Sequence, residues 1–419
     1  MFSVLRSRDF RLLWISQSAS VIGDALVVIA IGIYVTRLTG NPSDVGIVLA
    51  GYSLPLVLFL LVGGVVADRL PRQRVMVVTD TVRFLLHGTL AVLIATGAVR
   101  IWQMVLIGVL FGTAQAFFQP AYSGLVPQTV QEDDIQAAQA LGGVSRELSE
   151  FLSPALAAAL VLGVSGAAAF GLDALTFAFS ALLLSRVNAR DRGGSSERDT
   201  ALAELRQGWT AVRERAWVWG TILAFSAAIL FALAPFFVLG AAVAKDVYGS
   251  AAAYGIINAA WGVGTVSGAL LGLRWQPARP MRAAMLAAVP WPAAIGLYAF
   301  GPPLVILYPV MVLSGLGIGL FGVWWETALA QRIPPHLLSR VSAWDWMGSL
   351  AFLPLGYLLA GPAADAFGDA RVLEVGGLVG TVAAILGLLP RSTRTLRRLD
   401  GEPALPAVDA PLPLATVTP

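Results

Sequence analysis

Twelve times along this chain the sequence runs for some twenty residues or more with scarcely a charge. The runs cover roughly 12–36, 44–67, 75–97, 101–121, 139–163 and 166–186, then 217–243, 251–273, 281–300, 303–326, 340–360 and 371–390. A bilayer core ~30 Å thick is crossed by ~20 apolar residues at 1.5 Å rise each. Inside it every backbone polar group must be satisfied by the chain itself, which leaves helices or closed barrels. These runs are too long for barrel strands and do not alternate. Turn-formers separate them, among them Gly40-Asn41-Pro42, Leu70-Pro71, Gly301-Pro302 and Pro334-Pro335. The predicted fold class is therefore an all-α polytopic membrane protein of twelve transmembrane helices. Composition agrees: of 419 residues, 57% are hydrophobic and 13% charged, about half the charge of a soluble domain. Soluble, fibrous and disordered chains are excluded.

Short loops fix the orientation, because Arg and Lys collect on the cytoplasmic side. With the N-terminus inside, 22 basic residues fall on the inner side and four, Arg37, Arg100, Lys245 and Arg371, on the outer. Both termini are expected in the cytoplasm of a bacterial inner-membrane protein. The first apolar run is far longer than a signal peptide's, so it reads as an uncleaved helix. Residues 187–215 are polar and centre on Gly193-Gly194-Ser195-Ser196. They are expected to be a cytoplasmic linker between a six-helix bundle over 1–186 and another over 216–390. Residues 391–419 are expected to be a cytoplasmic tail without order.

Several chemistries are absent. There is no cysteine, and the only histidines are His87 and His336, so neither a metal site nor a thiol nucleophile is expected. A P-loop needs Gly-Lys-Ser/Thr, and the single lysine sits in Ala244-Lys245-Asp246. No ATP, no nucleic acid and no cofactor are expected.

The two halves carry matching landmarks. Gly64 and Gly272 close the second and eighth runs, 208 residues apart, and Val126-Pro127 and Ile333-Pro334 follow the fourth and tenth, 207 apart. A duplicated six-helix unit is a transporter architecture, with its substrate site near the midplane between halves.

The sharpest motif is Gly64-Val65-Val66-Ala67-Asp68-Arg69-Leu70-Pro71-Arg72-Gln73-Arg74. It resembles the G-x-x-x-D-R-x-G-R-x-R loop of the major facilitator superfamily, with Pro71 where that family has glycine. Leu5-Arg6-Ser7-Arg8-Asp9-Phe10, Ile22-Gly23-Asp24, Asp80-Thr81-Val82-Arg83, Gln119-Pro120-Ala121 and residues 334–342 are similar to its macrolide, multidrug and siderophore exporters. The resemblance spans residues 5–390. It implies two pseudo-symmetric six-helix bundles and secondary transport by alternating access. It also implies that Gly64, Asp68, Arg69, Arg72 and Arg74 form a gate, with Asp68 pairing only while the cytoplasmic side is shut. The bland alternative is that these arginines only hold the loop inside.

A charge at the bilayer centre costs at least ~2.5–3.5 kcal/mol, so each is a functional candidate. Asp24 lies twelve residues into the first run. Asp80, Arg83 and His87 share one face of the third at i, i+3 and i+7. The Asp80–Arg83 pair can be a neutralised packing element or part of a mobile relay. Glu150 lies near the middle of the fifth run, and Pro154 frees its carbonyl from the helical ladder, which makes Glu150 the first candidate for proton coupling. Ser149, Ser153 and Ala157 form a stripe suited to close packing. Asp173 falls near the outer end of the sixth run, shallow enough to be solvated. Glu326, Arg332, Arg340 and Asp345 are candidates for a second-half latch, against the plainer reading of ordinary interfacial charges.

The expected function is proton-coupled efflux of a small amphipathic organic molecule, a drug, antibiotic or siderophore. The expected partners are that substrate, protons and membrane lipid, and the chain is expected to work as a monomer. An importer of a small metabolite is the alternative. A polytopic membrane enzyme is a weaker one, since 187–215 is the only long polar loop.

Overall fold

The computed structural model describes residues 2–188 and 201–398, apart from 132, 133, 136, 137, 139, 140, 144, 146–148, 150–152, 154, 155, 158 and 162. Among the described residues the elements are all helical. The first half holds α1 (Arg8–Thr39), α2 (Pro42–Arg69), α3 (Arg72–Ala95), α4 (Ile101–Thr129) and α5 (Gly166–Leu184). Between α4 and α5 the described positions from 141 to 163 are helical almost throughout and line up with the fifth apolar run. A linker helix, α6 (Ala201–Arg213), leads into the second half. There α7 (Ala216–Ala228) passes through a π-helical turn (Ile229–Leu233) into α8 (Ala234–Tyr248). Next come α9 (Ala252–Arg274), α10 (Pro280–Ala288), α11 (Pro290–Ala299), α12 (Leu304–Arg332), α13 (Pro335–Phe367), α14 (Asp369–Leu386) and the short α15 (Arg391–Thr395).

Nine helices among the described residues are long and apolar enough to cross a membrane. The fifth expected span runs over positions outside the description. The ninth is divided between α10 and α11, where Pro290 and Pro292 interrupt the ladder. The twelfth is α14, which keeps Asp369, Arg371 and Glu374. Gly368, at φ 87°, reverses the chain between α13 and α14 in one residue, a conformation that a side chain would strain.

The duplication is visible in the packing. The two most extensive helix interfaces are α2 against α4 and α9 against α12, which are equivalent under the repeat. Both depend on missing side chains. A Cβ on Gly112 would overlap the carbonyl of Tyr52 in α2. On Gly315 and Gly319 it would overlap the carbonyls of Trp261 and Thr265 in α9. Gly108 and Gly112 stand 207 residues before Gly315 and Gly319, the same shift as the proline landmarks.

Where the core is continuous decides the state of the molecule. One apolar cluster joins both halves: Ile31 and Ile33 of α1 and Val45 and Val48 of α2 pack with Val238 and Leu239 of α8 and Tyr357 and Ala360 of α13. The helices can meet there because Gly46 lies on the Tyr357 carbonyl and Gly361 on Ser43. At the opposite end, which carries residues 2–6 and α15, the core separates into two. One cluster, around Phe10, Met76, Phe118 and Leu184, belongs to the first half. The other, around Trp217, Met281, Trp325 and Leu329, belongs to the second. The halves are sealed at one end and parted at the end bearing the termini.

Residues 391–398 depart from the disordered tail expected from sequence. Thr393 is fully buried, the Arg398 amide donates to the Ala278 carbonyl at 3.0 Å, and Arg332 donates to the Arg397 carbonyl. Leu396 joins the second-half core. Buried apolar contact and paired backbone groups hold a short segment that low charge and proline content alone would leave loose. Residues 399–419 lie outside the described residues.

Candidate functional site

Inside the first half, four helices bring titratable side chains into one buried cluster. Arg83 of α3 is fully buried and pairs with Asp80 one turn before it. Its Nη1 donates to Gln115 Oε1 of α4 at 2.6 Å and lies 3.5 Å from Asp24 Oδ2 of α1. The guanidinium sits over the rings of Phe118 at 4.1 Å and Phe177 at 4.4 Å. That gives a buried cation two attractive aromatic faces. Asp80 accepts a second hydrogen bond from Ser180 of α5 at 2.6 Å. One helical turn along α3 from Arg83, His87 bonds Asp173 of α5 through Nδ1. Its Nε2 is 3.0 Å from the Tyr52 hydroxyl of α2, and its ring stacks on Phe111 at 4.2 Å.

Asp173 corrects the sequence reading, which left it solvated. It is fully buried. Counting residues along its own helix gave a shallow depth, but α1 and α3 cover the site. Gly23 makes this possible, since a Cβ there would overlap Asp173 Oδ1. Tyr52, Gln115 and Ser180 also belong to the cluster. As neutral polar residues in apolar runs they carry little sequence signal, although Ser180 stands seven residues after Asp173 on one helix face.

Asp80, Arg83 and His87, expected on one face of α3, thus stand in one cluster, and Asp24 of α1 joins it through Arg83. Among the described residues three polar atoms of the cluster lack a partner: Asp24 Oδ1, Asp173 Oδ1 and Arg83 Nε. Three carboxylates face one guanidinium and one imidazole. Tyr52 can donate to a neutral His87 or accept from a charged one. Asp24 is the member least covered, its side chain 22% exposed. It follows Gln17 and Val21 on the face of α1 that lines a cavity of about 280 Å³, with Trp14, Tyr122 and Ser145 also on its walls.

Glu150 lies outside the described residues. Its neighbours in the stripe, Ser149, Ser153 and Ala157, are all buried. Ser153 donates to the Ile22 carbonyl at 3.1 Å, and Ser18 bonds Ser145 at 3.0 Å, which holds that helix against α1.

The gate residues sit at the terminus-bearing end. Arg72 donates to the Gly124 carbonyl of α4 at 2.5 Å and Gln73 to the Leu184 carbonyl of α5 at 2.8 Å. The loop is therefore tied to two helix ends. Arg69 and Arg74 are exposed. The close approach of α2 to α4 falls at Gly63, where a Cβ would overlap the Ala116 carbonyl, whereas Gly64 has open space beside it. The Asp68 side chain lies outside the description.

In the second half, Asp345 accepts from the Trp325 indole at 2.9 Å. Arg332 reaches the Arg397 carbonyl and Arg340 reaches Gln207 of the linker helix. The midplane there is uncharged. Phe236, Phe237, Trp261, Trp291 and Ser314 line a cavity of about 30 Å³ beside the π-helical turn, and Trp261 Nε1 and Ser314 Oγ have no acceptor. Among the described residues no group of acidic or histidine side chains could hold a metal.

The family model described as a transmembrane secretion effector matches residues 1–411. The multidrug efflux pump Tap of Mycolicibacterium fortuitum is 26% identical over 398 residues, 90% of this chain and 94% of that protein. Macrolide efflux protein A of Streptococcus pyogenes is 24% identical over 404 residues, 93% and 97% of the two chains. The enterobactin exporter EntS of Shigella boydii is 25% identical over 380 residues, 90% and 87%. Among solved structures, the nucleoside transporter NupG aligns with a TM-score of 0.69 at 14% identity, covering 90% of this chain and 98% of that one. A bacterial homologue of the human lysosomal transporter Spinster, inward-facing and occupied, gives 0.70 at 15% identity over 94% and 99%. At such identities the likeness concerns the fold.

Proposed function

This chain belongs to the transmembrane secretion effectors of the major facilitator superfamily, and from that premise we propose that it exports a small amphipathic organic molecule in exchange for protons, by alternating access. The observation that carries the reading is the parting of the core at one end combined with a buried acid–base cluster whose least covered carboxylate, Asp24, lies on α1 one turn beyond the cavity-lining Val21. With the termini in the cytoplasm, as the arginine distribution favours, the open end faces the cytoplasm and receives substrate there. Efflux relatives of the same length support export. The 280 Å³ cavity walled by Trp14 and Tyr122 suits part of an aromatic or amphipathic ligand.

Proton and substrate exclude each other on this reading. Deprotonation of the cluster leaves it net negative in a low-dielectric site, which favours either an incoming cationic or donor-rich substrate or the re-entry of a proton. Asp24, Asp80, Arg83 and His87 form the relay, and Glu150 stays a candidate carrier in the adjoining helix. Asp68, Arg69, Arg72 and Arg74 shut the cytoplasmic side, and Glu326, Arg332, Arg340 and Asp345 act with them from the second half.

Inside-out vesicles test the reading with a panel that includes a macrolide and enterobactin. At least one compound should accumulate when the vesicle lumen is acidified, and a protonophore should abolish the accumulation. Asp24→Asn should still exchange substrate across the membrane yet fail to concentrate it. Glu150→Gln in the same assay distinguishes the two carboxylates. Accumulation that ignores the protonophore would remove the coupling, and uptake into right-side-out vesicles alone would make the protein an importer.

A further inference from the structure

The terminus-bearing end of the second half carries a second built feature, remote from the acid–base cluster. The loop after α9 and the start of α10 face α15 across a cavity of about 570 Å³ lined by Arg279, Arg282, Arg391, Arg394 and the apolar pair Leu286 and Leu388. Arg279 also borders a neighbouring cavity of about 410 Å³, where Gln276, Arg397 and Arg398 complete the wall. The two form one basic trough.

The trough owes its shape to the ordered tail. Arg332 holds the Arg397 carbonyl, the Arg398 amide holds the Ala278 carbonyl, and buried Thr393 anchors the turn between them. These contacts bring arginines from two distant segments together although like charges repel. Among the described residues Arg279, Arg282 and Arg391 have no side-chain hydrogen-bond or ion-pair partner, and no carboxylate lines either cavity. Topology alone asks only that arginines lie on this side of the membrane. It does not ask that they share one walled cavity.

The apolar edge gives the chemistry of the missing partner. Leu286 is 50% exposed, and Ile385 and Leu389 are 50% and 65% exposed, an apolar surface at the end of helices expected to cross the membrane. A ligand filling the trough meets guanidinium groups at one end and hydrocarbon at the other. We propose that this trough binds the phosphate of an anionic phospholipid, with Arg279, Arg282 and Arg391 on the phosphate and the acyl chains leaving past Leu286. Guanidinium forks match phosphate oxygens in pairs, and basic pockets between helix ends bind such headgroups. Through Arg332 and Arg397 the lipid would brace α12, one wall of the opening between the halves.

Native mass spectrometry of the full-length protein tests this with phosphatidylglycerol and, separately, phosphatidylcholine as probes. Wild type should retain phosphatidylglycerol selectively. Arg279→Gln/Arg282→Gln/Arg391→Gln should weaken its binding on the order of 100-fold, equivalent to about 1 kcal/mol per arginine. Arg282→Gln alone should give a smaller loss, which keeps the test open if the triple variant misfolds. Arg6→Gln/Arg8→Gln, in the first half, should bind as wild type. Equal retention of both lipids, wild-type binding by the folded Gln variants, or an equal loss in the first-half control would overturn the proposal. So would displacement by inorganic phosphate at concentrations matching the lipid's own, which would assign the trough to a soluble anion.

Discussion

Arg83 illustrates why a single residue can govern a half-molecule. Its guanidinium is shared by Asp80, Asp24 and Gln115 and enclosed by phenylalanine rings. Arg83→Met would leave buried carboxylates without their cation, and such a loss costs about 3–5 kcal/mol. Thermal unfolding in detergent should show a large fall in midpoint, and Arg83→Met/Asp80→Asn should recover part of it. Gly23→Ala should also destabilise, by ~1–3 kcal/mol for an overpacked site, because its new methyl group meets Asp173. At the sealed end Asp369 gives a pH prediction. Burial, followed by the charges of Asp246 and Asp365, holds its carboxyl above the ordinary value of 3.8. A raised carboxyl favours the fold at low pH and loses that contribution as pH rises through the folded value. Asp369→Asn should therefore raise the melting midpoint at neutral pH and leave it unchanged below pH 3.8. Melting curves at both pH values check this. Asp24, Asp80, Arg83 and His87 could be found in the sequence because a charge in an apolar run is conspicuous and expensive. Asp173 was misjudged because its burial depends on what covers the helix, which a single helix does not encode.

At the scale of elements, the seal between α2 and α13 depends on two glycines that let backbones touch. Gly46→Leu should push the Tyr357 carbonyl away and favour the state parted at this end and shut at the terminus-bearing end. An overpacking cost of 1–3 kcal/mol corresponds to a shift of roughly 5- to 150-fold between the two states. The chain has no cysteine, so Ser18→Cys supplies a single reporter in the 280 Å³ cavity. Its labelling by an impermeant thiol reagent from the terminus-bearing side should slow in the Gly46→Leu background. Unchanged labelling would show that the seal is not controlled by this contact. The helix spans themselves were legible, since length and hydropathy are local quantities. The π-helical turn before Pro235, the break between α10 and α11 and the ordered run 391–398 answer to packing and were not.

For the whole molecule, the proposed alternating access makes the sealed and parted ends one of two conformers. Ser43→Cys, a single thiol in a chain without cysteine, should label slowly with an impermeant thiol reagent in this state, because Gly361 of the other half packs against it. Labelling should speed up when substrate and a proton gradient drive turnover, and labelling that stays slow throughout transport would mean that this seal need not open. The sequence by itself determined the medium, the all-helical class and the duplication near 207 residues, and it places 22 basic residues on the expected inner side against 4 on the outer. All of these follow from sums over short windows, which hydrocarbon enforces residue by residue. Only the tertiary structure decided that Asp173 completes the acid–base cluster, that Gly63 rather than Gly64 carries the helix contact, that the tail folds into a basic trough, and which end is open. Those facts depend on which helices are neighbours. Neighbours are chosen by side-chain fit across the bundle, and no stretch of one helix records the shape of another.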